Sequence, residues 1–353
     1  LNQYVLGENL NLSIVNATND SNLSYSITGP LAPISKQNFQ FQVKTLYSRM
    51  DEYLLALDVL DNFYLISKMD FTKYFSYNIK GNFQTAHCYD ISLINDQYFV
   101  VNCDLSNKEQ MIILLGFQSS SIQNISSITQ QNPYAGHCLK RSLYAGFKYI
   151  FQYCADNSNP LSEFAEIYYF DDNSVISYVG ALNSTLLNLQ NPMSIAFISN
   201  YRQQNDQRYY VFVDRQNGIL IINIAKSLTA VECVIKAQYF MENISFLFEQ
   251  SEFNGFQGHF ENLRLYILQK ANIISEFEII DNQINFIDWY LIPAKYTVLQ
   301  GSITLNYMNF LLQDQSGKYF LQIIQLKTKH LLLSSVLEQN CTLVSSGFDK
   351  DTF

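Results

Sequence analysis

The sequence predicts an all-β repeat protein, and three observations carry that reading. Two cysteine-bracketed hairpins resemble each other, an aromatic-led apolar strand recurs six times, and several of its partner strands are apolar on both faces. The hairpins set the register. Ala86-His87-Cys88 through Asn102-Cys103-Asp104 is answered by Gly136-His137-Cys138 through Tyr153-Cys154-Ala155-Asp156. Cys88 and Cys103 are equidistant from an Asn95-Asp96 turn, and Cys138 and Cys154 from Gly146, the middle of a three-residue loop. Antiparallel pairing about either turn sets the two cysteines opposite each other. That placement brings Cβ atoms within the roughly 3.5 to 4.5 Å that a disulfide spans. The expected bridges are Cys88–Cys103 and Cys138–Cys154.

In chain order, residues 1–33 differ from the rest of the chain. They are polar, and they close on Ser24-Tyr25-Ser26-Ile27-Thr28-Gly29-Pro30. Asn9 to Val15 and Ser24 to Ile27 alternate like two short strands around a polar turn. The stretch resembles the end of a cadherin-like or immunoglobulin-like extracellular module; an extended N-terminal linker is the other reading. Residues 34–339 then repeat with a loose period of roughly 45 to 60 residues. The recurring line runs Tyr53 to Asp58, Tyr98 to Asp104, Tyr149 to Asp156, Tyr209 to Asp214, Leu265 to Gln269 and Phe310 to Asp314. An Asp ends all but the fifth, where a turn begins.

Partner strands follow at Phe63 to Ile66, Met111 to Phe117, Ile167 to Phe170, Ile219 to Ile224, Ile274 to Ile280 and Tyr319 to Leu326. Leading strands precede the line at Phe39 to Val43, Cys88 to Ile94, Cys138 to Tyr144 and Ser194 to Ser199. Trailing strands lie at Phe75 to Ile79, Val175 to Val179, Val231 to Tyr239, Phe286 to Leu291 and Leu331 to Val336. Leu161 to Tyr169 is ambiguous between helix and strand, whereas Val231, Cys233, Ile235, Ala237 and Tyr239 alternate with the period of a strand.

Four antiparallel strands per period resemble the blades of a β-propeller, with about six to seven four-stranded blades. Runs such as Ile219-Leu220-Ile221-Ile222, apolar on both faces, suit stacked blades better than a sheet with one wet side. A row of tandem β-sandwich domains is the alternative. Residues 340–353 read as the opening strand of a further, incomplete blade, with residues 10 to 28 available to close the ring. On that reading the chain belongs to a longer polypeptide. Cys341 then bonds a cysteine beyond it and Cys233 is left as the odd thiol, a Cys233–Cys341 bridge being the competitor.

Composition narrows the function. A net charge of −9 argues against nucleic acid, whose phosphates attract clustered Lys and Arg. No apolar run approaches the roughly 18 residues of a membrane span. Abundant Asn, Gln, Ile, Tyr and Phe, with scarce Gly and Pro, resemble the usage of an AT-rich genome such as a protist's. The even count of six cysteines and the glycosylation sequons at Asn11, Asn16, Asn19, Asn22, Asn124, Asn183, Asn243 and Asn340 point to an extracellular or cell-surface location reached through the secretory pathway.

Motifs with chemistry are scarce. His87 and His137 beside Cys88 and Cys138 invite a zinc reading, but the pairs stand 50 residues apart on different blades, unlike structural zinc spacings. Asp58-Val59-Leu60-Asp61-Asn62 and Asp171-Asp172-Asn173 read as turns before they read as calcium loops. His259, in the glycine-bearing loop Asn254 to Glu261, is the candidate for a binding rim. Metalloprotease, serine-hydrolase, Walker and dinucleotide motifs are missing, and no cofactor is expected. The expected function is a non-enzymatic structural or adhesion glycoprotein. Its partners would be other protein subunits or copies of itself in a coat, appendage or filament, together with N-linked glycans. The rivals are a secreted propeller enzyme acting on glycans and an intracellular propeller scaffold.

Overall fold

The computed structural model of the chain describes residues 41–337 apart from the connecting segments 42, 48–52, 68–69, 71, 84–86, 96, 106–108, 132–139, 147, 156–163, 192, 203–207, 227–230, 242–243, 254–260, 270–271, 304–306 and 327. It also describes four short N-terminal stretches, 3–5, 12–13, 26–27 and 35–37. Six four-stranded sheets, each built from consecutive strands in meander order, form the blades of a β-propeller. Blade 1 comprises Val43–Tyr47, Tyr53–Asp58, Asn62–Ser67 and Tyr74–Asn78; blade 2 comprises His87–Asn95, Tyr98–Asp104, Glu109–Gln118 and Ser121–Gln131. Blade 3 is Lys140–Gly146, Tyr149–Ala155, Phe164–Phe170 and Ile176–Leu182, and blade 4 is Ile195–Arg202, Arg208–Asp214, Gly218–Lys226 and Val231–Tyr239. Blade 5 is Ile244–Phe253, Glu261–Gln269, Ile273–Ile280 and Gln283–Leu291, and blade 6 is Tyr296–Ile303, Tyr307–Asp314, Tyr319–Gln325 and Leu331–Leu337.

Side-chain periodicity explains the layering. Second and third strands are buried along nearly their whole length, as Phe99 to Cys103 and Gln110 to Gly116 are, because each is covered by a blade on either side. Outer strands alternate, as Tyr74–Asn78 does, since their edge faces solvent. First strands of successive blades touch one another from blade 1 through to blade 6, so they lie toward the axis. An apolar cluster fills each of these five seams. Leu57, Phe63, Phe99 and Val101 join blades 1 and 2; Val100, Leu114, Ile150 and Tyr168 join blades 2 and 3. Phe151 with Phe212, Val211 with Leu265, and Tyr266 with Phe310 mark the remaining three.

The repeat extends to irregularities invisible in the hydrophobic pattern. The outer strands of blades 2 to 6 each carry a β-bulge opposite the third strand, which skips Ile125, Val179, Lys236, Ile287 and Leu332 in turn. Inner strands bulge at Lys44, Tyr89, Ala196, Ser245 and Leu299 in blades 1, 2, 4, 5 and 6. Turns repeat too. Asp58 Oδ1 accepts from the amides of Leu60 and Asn62, Asp171 Oδ1 from Asn173 and Val175, and Asp314 Oδ1 from Ser316 and Lys318. The residue three positions on is left-handed in each: Asp61 at φ 62°, Ser174 at 61° and Gly317 at 82°. This is the type I turn with a following left-handed residue that three-residue hairpin loops favour.

Several expectations need adjustment. Among the described residues the leading strand of blade 1 runs Val43–Tyr47, past the expected end at Val43, and that of blade 3 runs Lys140–Gly146, past the expected end at Tyr144. Phe39 and Cys138, where those strands were expected to start, lie outside the described residues. Leu161 to Tyr169 resolves into the strand Phe164–Phe170, and Val231–Tyr239 is the strand its alternation indicated. The outer strand Ser121–Gln131 and the five-residue helix Ile79–Phe83 were not foreseen. Leu12–Ser13 pairs with Ser26–Ile27 and Gln3–Val5 with Ser35–Gln37, so the described N-terminal strands pair among themselves and not with blade 6. Residues 340–353 lie outside the described residues.

Candidate functional site

The two cysteine hairpins fold differently. Cys88 stands directly opposite Cys103 and the two are joined by a disulfide. Their register is reached indirectly: Asn95 pairs with Tyr98, so the turn lies one position later than Asn95-Asp96, and bulges at Ile94 and Tyr89 each take up one residue. In the second hairpin Gly146 pairs with Tyr149, a two-residue turn in place of the expected three-residue loop centred on Gly146. Cys154 therefore stands opposite Arg141. Cys138 lies outside the described residues, as do His137, Cys341 and the proposed rim histidine His259.

The bulges at Lys44 and Tyr89, on the inner strands of blades 1 and 2, turn both side chains into one cluster beside the disulfide. Lys44 Nζ donates to the carbonyl of Cys88 and lies 3.9 Å from Asp61 Oδ1 and 3.5 Å from His87 Nε2. Asp61 Oδ1 accepts from the Cys88 amide at 2.9 Å, and His87 Nδ1 lies 3.6 Å from Asp61 Oδ2. The Tyr89 ring meets the edge of His87 at 5.1 Å between centroids and carries Lys44 Nζ 5.3 Å from its own centre. Its hydroxyl donates to Asp104 Oδ2 at 3.1 Å, while Thr45 Oγ1 donates to the Tyr89 carbonyl at 3.2 Å. Burial pulls the Lys44 ammonium below the usual lysine range, and the Asp61 carboxylate opposes that shift.

Lysine, histidine and aspartate within one cluster are groups able to move a proton. Here Asp61 and Lys44 hold the two backbone groups of Cys88, so the cluster clamps blade 2 onto blade 1. The Asp61 carboxylate is only 5% exposed, Lys44 24% and His87 59%, so the imidazole is the most exposed of the three. Among the described residues, no group of three or more His, Cys, Asp or Glu side chains has the arrangement of a metal site. The aspartate loops considered for calcium spend their oxygens on turn amides and neighbouring side chains: Asp58 Oδ2 also accepts from Asn62 Nδ2 and the Tyr64 hydroxyl, each at 2.9 Å.

That aspartate–tyrosine contact has counterparts elsewhere. The Tyr168 hydroxyl donates to Glu166 at 3.0 Å and the Tyr266 hydroxyl to Glu276 at 3.0 Å. Burial, reinforced by the adjacent carboxylate, raises all three phenols above their usual range. Glu276 also receives Lys329 from the last turn of blade 6, an ion pair across the seam between blades 5 and 6.

Asn124 and Asn183 are the two sequons within the described residues, and both are exposed. Asn124 lies on the outer strand of blade 2, and Asn183 follows the outer strand of blade 3, where its Oδ1 accepts from the Leu186 amide at 2.8 Å. Asn11, Asn16, Asn19, Asn22, Asn243 and Asn340 lie outside them. Cys233 is a half-buried free thiol, and burial pushes its pKa up to about 11, so it is a poor nucleophile. No helix among the described residues is long and apolar enough to cross a membrane.

No protein-family model matches the chain, and neither does any curated protein. Solved structures do match it. The β-propeller domain of Myceliophteria thermophila Cps50 (Swd1) aligns over 88% of this chain and 90% of its own, at 9% identity and a TM-score of 0.54. The Pseudomonas aeruginosa periplasmic gluconolactonase PpgL aligns over 84% of this chain and 82% of its own, at 10% identity and a TM-score of 0.50. Chaetomium thermophilum Raptor aligns over 88% of this chain and 26% of its own, at 9% identity and a TM-score of 0.52. At such identities the likeness is one of fold.

Proposed function

We propose that the chain is a non-catalytic, N-glycosylated extracellular module whose propeller is a rigid scaffold for protein contacts, with other subunits or copies of itself as partners. The observation that carries this reading is the combination of an oxidised Cys88–Cys103 hairpin with two exposed sequons, Asn124 on the outer strand of blade 2 and Asn183 just after that of blade 3. Disulfides persist in oxidising compartments, and a sequon must be accessible to be used. The clamp at Cys88 supports a structural role for the polar cluster that joins blades 1 and 2 at their inner strands, since Asp61 and Lys44 are spent on the backbone of Cys88. Blade 5 supplies surface suited to protein contact: Phe286, Ile287, Trp289 and Leu291 on its outer strand are about half exposed. Intact mass of protein from its own cells, before and after glycosidase treatment, tests the reading. A mass loss of at least one glycan is expected, and an unchanged mass with every cysteine reduced favours an intracellular scaffold instead.

A second reading, a secreted enzyme acting on glycans, draws on the Lys44–Asp61–His87 grouping. It expects turnover in a glycan panel that His87→Ala abolishes while the melting temperature holds. The scaffold reading expects no turnover in either protein.

A further inference from the structure

The seam between blades 2 and 3 is divided into an apolar and a polar half. Alternate residues of each strand face it, so Val100 and Leu114 of blade 2 and Ala145, Ile150 and Tyr168 of blade 3 share one side with Asn102, Gln110, Gln152 and Glu166. Much of the polar half is bonded across the seam. Asp90 Oδ2 accepts from the Leu143 amide at 2.9 Å, and Ser92 Oγ accepts from the Ala145 amide at 3.0 Å. Gln110 Nε2 donates to Glu166 Oε2 at 3.0 Å, and that same oxygen accepts from Tyr168.

Two amides stand apart from this network. Asn102 is 0% exposed, and neither its Oδ1 nor its Nδ2 has a hydrogen-bond partner; Gln152 is 4% exposed with Oε1 unpartnered. Both adjoin Asp90. Asn102 is its cross-strand partner, and Gln152 is the cross-strand partner of Leu143, whose amide Asp90 holds. Native proteins pair nearly all such buried groups, with ordered water where protein supplies no partner.

We infer that the polar half of this seam is an internal hydration site, holding at least one ordered water between Asn102, Gln152 and Asp90. The water accepts from Asn102 Nδ2 and donates to Gln152 Oε1 and to a carboxylate oxygen of Asp90, which gives it the two to four partners that buried water requires. An apolar occupant would leave the amides orphaned. A bound cation would be met by the oxygens but repelled by the Asn102 amide hydrogens.

The test uses the full chain. Oxygen-17 relaxation dispersion counts long-lived waters in wild type and in Asn102→Leu, while denaturant titration gives their stabilities. The expected result is fewer long-lived waters in the variant and a roughly tenfold rise in its unfolded-to-folded ratio, because water, Asp90 and Gln152 lose a partner. An unchanged count with a variant as stable as wild type or more so overturns the site, since a dry orphaned amide improves when replaced by an apolar group. Should Asn102→Leu not fold, a high-resolution crystal structure of wild type decides: a water peak within hydrogen-bonding distance of Asn102 supports the site, and a dry seam or a coordinated cation removes it.

Discussion

Blade 2 meets blade 1 and blade 3 on different terms. Toward blade 1 it offers Phe99, Val101, Met111, Ile113 and Leu115, an apolar sheet face with its disulfide embedded in it and its charges kept at one end. Toward blade 3 the same strands offer Val100, Ile112 and Leu114 mixed with Asn102 and Gln110, and the carboxylates of half-buried Asp90 and buried Glu166 bond across the seam. The contrast shows two ways of joining blades. One relies on area, where burying a large apolar side chain contributes roughly 1.5 to 3 kcal/mol without directional demands. The other trades area for hydrogen bonds that fix how one strand sits against the next, and it is sensitive to any partner left unmade.

The largest effect should come from the apolar face. Phe99→Ala is expected to destabilise by about 3–5 kcal/mol in urea or guanidinium titration, whereas Val100→Ala on the other face should cost roughly 1–3 kcal/mol. A Phe99→Ala loss below about 1 kcal/mol would contradict a closely packed apolar face. Next comes the disulfide. The Cys88→Ala, Cys103→Ala double variant should lose about 3 kcal/mol, the chain-entropy value for a loop of this length, and a loss near zero would mean that the hairpin is held by its neighbours alone.

The polar face has a pH signature. Burial raises the Asp90 carboxyl to about 6, against the opposing bonds from the Leu143 and Ile91 amides. A raised folded-state pKa means that the native state binds the proton more tightly, so this contribution is present below about pH 4 and lost as pH rises toward 6. Asp90→Asn should therefore remove a slope of about 2 kcal/mol across that window relative to wild type. Matching slopes in the two proteins would place Asp90 in a wetter setting. The smallest effect belongs to the charged end of the blade 1 seam. Lys44→Met is expected to cost about 1 kcal/mol, and a double-mutant cycle with Asp61→Asn should show coupling below that, as for partly solvated pairs.

These seams were unequally legible in the amino-acid sequence. The second and third strands declared themselves because a strand covered on both faces must be apolar throughout, as Val211 to Val213 and Ile219 to Ile222 are. The aspartate turns were legible for a local reason, the carboxylate's reach to amides two and four positions on. Cys88 and Cys103 stand opposite each other as symmetry indicated, yet the turn was placed one residue early and two bulges restored the match. The same symmetry argument misplaced the register of the Lys140–Gly146 hairpin. Bulges leave no mark on apolar alternation, and the clamp depends on two of them. Lys44 lay outside the strand that alternation suggested, while Asp61 was read with Asp58 as one turn although only Asp58 holds it. Asn102, enclosed between Val101 and Cys103, was part of a recognised strand, but nothing local shows that its face is shared with Asp90 and Gln152.

Site-resolved mapping of glycans and disulfides, on protein purified from its own cells without reduction, tests the central claim most directly. The extracellular scaffold reading predicts a glycan at Asn124, Asn183 or both, on a chain in which Cys88 and Cys103 leave the protease digest as one linked peptide. Both asparagines bare, with Cys88 and Cys103 recovered as free thiols, would contradict it.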